Sequence, residues 1–294
     1  MKILLADPFS PQFPQRLGDL GEFCEDPEGL AWAEVMIVRS RTRVDGALLE
    51  RAPHLRLILR GGVGMDNIDL RACEARQIQV LNTPRASGIA VAELTLSLLL
   101  AVPTRLIEAH NAMREGRWLK NELLRTELYA KTLGLVGAGN IATEVARRAL
   151  AFGMEALGYD PNLSGHPLIA LVPTLDELLP RCDFLSLHLP ATPETRGLIE
   201  ARGLARLKRG AILINTARSH CVVEQDVADA LASGRLRAYC TDVYSADPPP
   251  GDSPILHAPN VYMTPHLGAN SEENLGRIED ALVALVQDYI SRKG

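Results

Sequence analysis

The segment TLGLVGAGNIATEVARRA at residues 132–149 sets Gly137, Gly139 and Ala142 in a G-x-G-x-x-A order, after an apolar run and at the start of a helix-forming stretch. These residue types at this spacing suit the binding of a pyrophosphate. Gly137 permits a tight turn, Gly139 lets the backbone approach a phosphate, and Ala142 is small enough for the helix to pack on the strand. Asn140 and Ile141 then open the helix, where free N–H groups and the positive dipole end favour an anion. Asp160 closes the next apolar run, 23 residues after Gly137. A carboxylate there accepts hydrogen bonds from a ribose and repels a 2′-phosphate, and no Arg stands among Pro161, Asn162 and Leu163. The pattern therefore points to NAD rather than NADP as cofactor.

Further polar residues follow in the second half: Arg218 in INTARSH, Asp242 and Asp247 in TDVYSADPPP, and His266 in TPHLGA. An arginine fork can hold a carboxylate and polarise a carbonyl, and an imidazole can give or take a proton at a hydroxyl oxygen. Beside a nicotinamide, that set suits interconversion of a 2-keto and a 2-hydroxy acid. Singly, each residue has an ordinary structural reading: a surface arginine, a histidine bonded near a proline, an aspartate capping a turn. The combination with a nucleotide motif favours chemistry. A second glycine cluster, Gly61-Gly62-Val63-Gly64, lacks an acidic partner downstream and reads as a small-anion nest. Arg39, Arg41 and Arg43 read most simply as a solvated strand end, though such a basic spot can meet a small anion.

The elements that must position these residues alternate between short β-rich runs and helical stretches, the grammar of parallel α/β layers. KILLA, EVMIVRS, LRLILR and IQVLN are predicted strands, with helices near 11–19, 45–52 and 69–76 and a long helix from about Val91 to Glu115. A second series restarts at Leu133 with LGLVG, EALGYD, FLSLHL, AILINTA, AYCTD and VYMTP as strands. Helices fit residues 140–152, 174–180, 201–207 and 224–233, with Gly234 as a C-cap, and the tail from Ser271 to Ser291 is one more amphipathic helix. The fold class is α/β: two Rossmann/flavodoxin-like parallel-sheet domains separated by a cleft.

Composition narrows the function classes. The 294 residues are 47% hydrophobic and 23% charged with a net charge of -5, which leaves no electrostatic footprint for nucleic acid or an anionic membrane. Five dispersed cysteines without a C-x-x-C pair read as reduced thiols, with neither a disulfide framework nor a metal site expected. The start MKILLADP is no signal peptide, and the longest apolar run, Ile89 to Pro103, carries Glu93 and is too short to span a bilayer. A cytoplasmic protein is expected.

Taken in order, VGAGNIA, HLPATPETRGLI, INTARS, TDVYSADPP and SPILHAPNVYMTPHLGA resemble the D-isomer-specific 2-hydroxyacid dehydrogenases. The resemblance runs nearly end to end, from MIVRSRTRVD and RGGVGMDNIDL through LNTPRASGIAVAELTLSLLLA. Within that family the pattern is most similar to D-3-phosphoglycerate dehydrogenases lacking their C-terminal regulatory domain. The resemblance implies a discontinuous substrate domain, residues 1–95 with 270–294, and an NAD-binding domain at 96–269. It implies Arg218, Asp247 and His266 as catalytic residues. It also implies cofactor contacts from Gly137, Gly139, Asn140, Ile141, Asp160, Pro190, Thr216, Ala217, Asp242 and His266. Substrate contacts fall to Arg39, Ser40, Arg218 and the backbone of Gly62, Val63 and Gly64. A homodimer is implied, with residues 90–130 in its interface, so that Trp118 and Lys120 could reach a neighbouring active site. A small 2-hydroxy or 2-keto acid is the implied partner, with 3-phosphoglycerate or 3-phosphohydroxypyruvate first. A glyoxylate/hydroxypyruvate reductase, an enzyme acting on another small anion such as formate or phosphite, and an NAD(H)-sensing, corepressor-like binding protein on the same fold are the alternatives.

The chain departs from the family's pattern in three places. The carboxylate five residues after Asp242 is Asp247 instead of Glu, one methylene shorter, so the loop must move inward, a water must bridge, or the pairing with His266 weakens. The usual glycine pair after the arginine is Ser219-His220, which brings a second imidazole, read as an outward loop residue or as a contact to an anionic substrate's far end. Arg85 stands where a glycine is common and is read as a surface charge or an added anion contact.

Overall fold

The computed structural model describes residues 1–293. Its strands are β1 (Lys2–Leu5), β2 (Glu22–Cys24), β3 (Val35–Val38), β4 (Leu57–Arg60), β5 (Gln79–Asn82) and β6 (Thr132–Val136). They continue as β7 (Glu155–Tyr159), β8 (Ala170–Leu171), β9 (Phe184–Leu187), β10 (Ala211–Asn215), β11 (Leu236–Thr241) and β12 (Val261–Met263). The helices are α1 (Phe13–Gly18), α2 (Gly46–Glu50), α3 (Leu70–Ala75), α4 (Gly88–Thr104), α5 (Leu106–Arg114) and α6 (Asn140–Ala151). After them come α7 (Leu175–Leu178), α8 (Ala201–Arg206), α9 (Glu224–Ala232), α10 (Pro254–His257) and α11 (Glu272–Lys293). The chain divides into two compact units, Met1–Gly88 with the chain from Ala269 onward, and Ile89–Gly268.

The first unit is a five-stranded parallel sheet in the order β2-β1-β3-β4-β5. Successive side chains of a strand point to opposite faces, and both faces here are covered, so β1, β3 and β4 read as continuous apolar runs. Ile3, Leu5, Val35, Ile37, Leu57 and Leu59 pack with Phe13 and Leu17 of α1 and with Ile278, Leu282 and Val286 of α11. The alternate residues Leu4, Met36, Val38 and Ile58 pack with Leu49 of α2 and Cys73 of α3. Glu279 of α11 is buried and accepts the backbone and hydroxyl of Ser10 at 2.7 and 2.8 Å, which ties the last helix to the loop after β1.

The second unit is a seven-stranded parallel sheet in the order β12-β11-β10-β9-β6-β7-β8. Strand order reverses between β6 and β9, which places the topological switch point, where such sheets bind ligands, at their carboxyl ends. In α6 the buried residues Ala142, Val145, Ala146 and Ala149 recur at helical spacing and face the sheet with Leu133 and Leu135.

The sequence reading differs from this architecture in several elements, the short helix α10 among them. The long helix expected from Val91 to Glu115 is two helices, α4 and α5, bent by 66°. Pro103 removes a helical N–H and Arg105 takes a left-handed φ of +54°, which together break the run. Strands β2 and β8 were not anticipated; they are three and two residues long and sit at sheet edges, where little apolar patterning is required. No single described helix is long and apolar enough to cross a membrane.

Candidate active site

The glycine turn after β6 lies at the switch point of the second unit. Gly137 has φ +85°, its N–H donates to Tyr159 O at 2.9 Å, and a Cβ there would run into the carbonyl of His188. Three strand ends, β6, β7 and β9, thus meet at a residue that cannot carry a side chain. A Cβ on Gly139 would meet nothing, so that side of the turn is open. Helix α6 starts without a side-chain cap. Among the described residues, the N–H groups of Asn140 and Ile141 have no partner. Open backbone, uncapped amides and the positive end of a twelve-residue helix fit a dinucleotide pyrophosphate.

Asp160 is fixed against this turn. Its Oδ2 accepts the N–H of Ala138 at 3.0 Å and its Oδ1 that of Asn162 at 2.9 Å, which holds the carboxylate beside the phosphate position with lone pairs left for a ribose. The loop that follows is tied back to α6 by His166, which the sequence reading did not single out. Its Nδ1 accepts from the N–H of Leu168 and Ile169, both at 3.1 Å, so Nε2 carries the proton and donates to Thr143 Oγ1 at 2.9 Å.

On the other side of the switch point, His188 follows β9, and burial pushes its pKa down to about 3 while Nε2 lies 3.0 Å from Ser186 Oγ. The ring is therefore neutral. Pro190 is exposed and its carbonyl accepts Thr195 Oγ1 at 2.7 Å. Thr216 and Ala217 form the turn after β10, with Thr216 Oγ1 2.9 Å from Thr95 Oγ1 and the Ala217 N–H on Asn215 Oδ1 at 3.1 Å. Asn215 is fully buried and also donates to the Arg218 carbonyl at 2.9 Å, so one unanticipated side chain staples the whole turn. Its only sequence signal was its place before Thr-Ala-Arg.

Arg218, Asp242 and His266 follow the carboxyl ends of β10, β11 and β12, which are consecutive neighbours in the sheet. The half-buried Arg218 donates through Nη1 to the Ala217 carbonyl at 2.7 Å. Asp242 is 1% exposed, and its two oxygens take three hydrogen bonds: Thr264 Oγ1 at 2.6 Å, and the N–H groups of Leu267 and Gly268, both at 2.7 Å. The Asp242 carboxylate thus shapes the turn that carries His266, a role the sequence reading did not assign to it. In that turn His266 adopts φ +55° and donates its N–H to Thr264 O at 2.9 Å. Its ring reaches Asp247 directly, Nδ1 to Oδ2 at 2.5 Å, with the side chains 46% and 53% exposed. Of the three possibilities open for the short carboxylate, direct contact is the one found. Tyr244 lies close by, its hydroxyl on Thr264 O at 2.8 Å and its pKa raised by burial and by Asp242 and Asp247. His220 is half-buried in the turn after Arg218, and its carbonyl accepts the Gly197 N–H at 2.7 Å. Arg85 and Trp118 are exposed.

In the first unit the turn after β4 is more specialised than its glycines suggested. Gly62 has φ +139°, and a Cβ there would overlap the guanidinium of Arg60, which donates to Gly61 O at 3.0 Å. The Gly62 N–H, expected to hold a substrate carboxylate, is spent on Thr83 Oγ1 at 2.8 Å. Among the described residues only the Val63 and Gly64 N–H groups of that nest have no partner. Arg39 and Ser40 lie in the turn after β3, with the Arg39 guanidinium carbon 5.9 Å from the centre of the Phe9 ring. No cluster of His, Cys, Asp and Glu that could hold a metal occurs among the described residues.

Residues 96–268 match the model of the D-isomer specific 2-hydroxyacid dehydrogenase, NAD binding domain. The chain belongs to the D-isomer-specific 2-hydroxyacid dehydrogenase family. It is 40% identical over 286 residues to a D-3-phosphoglycerate dehydrogenase of Methanocaldococcus jannaschii, covering 93% of this chain and 54% of that protein. The chain therefore spans about half the length of that relative. It is also 41% identical over 252 residues to a hydroxypyruvate reductase of Thermotoga maritima, covering 85% of this chain and 82% of that protein. The structure of a D-lactate dehydrogenase from Aquifex aeolicus complexed with NAD and lactic acid superposes with a TM-score of 0.88 at 29% identity, over 99% of this chain and 96% of that one. The glycine turn, Asp160 and α6 thus lie within a family NAD-binding domain.

Proposed function

We propose that this family member transfers a hydride between nicotinamide and a D-2-hydroxy acid or its 2-keto acid. The observation that carries the reading is the direct contact of His266 with Asp247. With Nδ1 turned to the carboxylate, Nε2 is left for a substrate oxygen, which is the arrangement of an oriented acid–base.

In the reducing direction, NADH held at the Gly137–Gly139 turn and Asp160 would supply the hydride for the keto carbon. The chain's own residues do the rest. Arg218 holds the substrate carboxylate and polarises the carbonyl through its fork of donors. His266 gives its Nε2 proton to the carbonyl oxygen as the alcohol forms, and Asp247 steadies the imidazolium before transfer. The unpartnered N–H groups of Val63 and Gly64 support a role in binding a substrate carboxylate, and Arg39 and Ser40 are the further substrate contacts of this reading. Asp242 acts by holding the His266 turn, and Asp160 selects a free ribose over a 2′-phosphate.

Residues 1–95 with 270–294 serve as substrate domain and 96–269 as cofactor domain in this reading. A phosphoglycerate-like acid comes first as substrate, supported by the similarity to D-3-phosphoglycerate dehydrogenases. Hydroxypyruvate is the second, favoured by the broader coverage of the Thermotoga reductase. A homodimer through residues 90–130 is supported by exposed Leu106, Ile107, Met113, Trp118, Leu124 and Tyr129. A cytoplasmic location belongs to the same reading.

The test is to follow nicotinamide absorbance with purified protein, NADH or NADPH, and a panel of 3-phosphohydroxypyruvate, hydroxypyruvate and glyoxylate. Turnover with NADH preferred over NADPH is expected. Tight NADH binding with no turnover on any acid overturns the enzyme reading in favour of the sensor.

A further inference from the structure

The sheet of the first unit has its own switch point, between β1 and β3, since β2 lies on one side of β1 and β3 to β5 on the other. At such a point the loops leaving the two strands diverge and leave a crevice for a ligand. Here the two loops are instead bound tightly to each other on one side. Asp7, 3% exposed at the end of β1, accepts the Arg39 N–H at 2.5 Å and the Thr42 N–H at 3.3 Å on Oδ2, and the Thr42 hydroxyl at 2.7 Å on Oδ1. From the opposite direction Asn67 gives both amide protons of Nδ2 to the same turn, to Arg39 O at 2.8 Å and Thr42 O at 2.6 Å. Both backbone polar groups of Arg39 and of Thr42 are thereby fixed by two side chains remote in sequence.

What this turn presents is Arg39, whose guanidinium lies over Phe9. Phe9 in turn lies against Gly61, 3.2 Å from where a Cβ would stand, and Gly61 leads into the turn of unpartnered Val63 and Gly64 amides. An arginine on a free loop loses several rotatable degrees of freedom on meeting an anion. One whose backbone N–H and carbonyl are both pinned and whose head rests on a ring has less to lose.

We infer that Asp7 and Asn67 are positioning residues that clamp the Arg39–Thr42 turn, and that this clamp sets the preference for 2-keto acids bearing a second acidic group. The inference rests on the reductase reading above and assigns neither residue a contact with substrate.

The experiment compares full-length wild type, Asn67→Ala, Asp7→Ala, Asp7→Asn and Arg39→Ala with NADH and the matched pair 3-phosphohydroxypyruvate and hydroxypyruvate. Asn67→Ala, Asp7→Ala and Arg39→Ala are expected to raise KM for the phosphorylated acid about tenfold, the loss of one well-placed charged contact. For Asn67→Ala and Asp7→Ala, a change of no more than about twofold is expected in kcat and in the KM of hydroxypyruvate. Asp7→Asn keeps an acceptor for the Arg39 N–H and is expected to recover most of the loss. Equal effects of the clamp variants on both acids, or no effect of them while Arg39→Ala raises the KM for the phosphorylated acid, overturn the inference. Amide hydrogen exchange at Arg39 and Thr42 reads the clamp without turnover: slow exchange in wild type and at least about tenfold faster exchange in Asp7→Ala, which removes the acceptor of both N–H groups, is expected. If wild type reduces neither acid, the reductase reading fails and so does the substrate preference, whereas unchanged exchange in Asp7→Ala rejects the clamp itself.

Discussion

His266 Nδ1 stands 2.5 Å from Asp247 Oδ2, so the short aspartate side chain makes this contact directly. The DVYSAD loop holds the aspartate carboxylate within hydrogen-bond reach of the imidazole. Lengthening the side chain should therefore bring no benefit. Asp247→Glu is expected to lower kcat severalfold, because the added methylene must displace either the loop or the imidazole. Asp247→Asn, which removes the charge that steadies the imidazolium, should cost about 10²-fold in kcat with NADH affinity retained. Steady-state kinetics and an NADH fluorescence titration check both; a faster Asp247→Glu enzyme would contradict the geometry.

The three donors on buried Asp242 make a second prediction. Asparagine offers only one carbonyl oxygen, and its amide must confront an N–H of Leu267 or Gly268. Asp242→Asn is expected to lose about 2–3 kcal/mol of stability, the scale of hydrogen bonds to a buried charge. Since the same turn carries His266, kcat should fall about tenfold or more at temperatures where the variant is still folded. Urea unfolding and kinetics on one preparation test the pairing of these two effects.

Gly137→Ala tests the close approach at the cofactor turn. Its φ of +85° is strained for alanine, and the new methyl would meet the His188 carbonyl. The turn must open to accommodate it, so NADH affinity is expected to fall at least about tenfold, a loss of about 1.4 kcal/mol. Gly139→Ala meets no protein atom, so it should leave folding intact and weaken only NADH binding, where the methyl intrudes on the ligand's space.

Acid sensitivity follows from His188, whose pKa burial lowers from 6.5 to about 3. Between those values the unfolded chain binds a proton that the folded chain refuses. This contribution to stability is complete above about pH 6.5 and is lost as pH falls through that window, at about 1.4 kcal/mol per pH unit. Urea midpoints measured at pH 7, 6 and 5 should decline, and His188→Gln should flatten that decline. Equal slopes for the two proteins would remove His188 from the account.

How much of this was legible in sequence depended on how local the signal was. The glycine turn, its helix and Asp160 lie within one β-α-β segment, where periodicity and spacing carry the information. The strands were readable because parallel sheets covered on both faces demand continuous apolar runs, as in β3, β4 and β10. Edge strands β2 and β8 face no such demand and left no trace. The break at Arg105 was masked by apolar residues on both sides of it. Least visible were hydrogen bonds between distant positions. Asp7 with Arg39, Asn67 with Thr42 and Gly62 with Thr83 are made across 21 to 32 residues by side chains with no periodic pattern. The fate of the Gly62 amide could not be read for that reason, and neither could the role of Asp242 in shaping the His266 turn.

The central claim is that His266, oriented by Asp247, exchanges the proton that accompanies hydride transfer. The most direct measurement is the kcat of His266→Ala against wild type on the best 2-keto acid of the panel, alongside NADH affinity. A fall of at least about 10²-fold in kcat with unchanged NADH affinity is the expected result. A variant as active as wild type, with NADH still bound, would contradict the account.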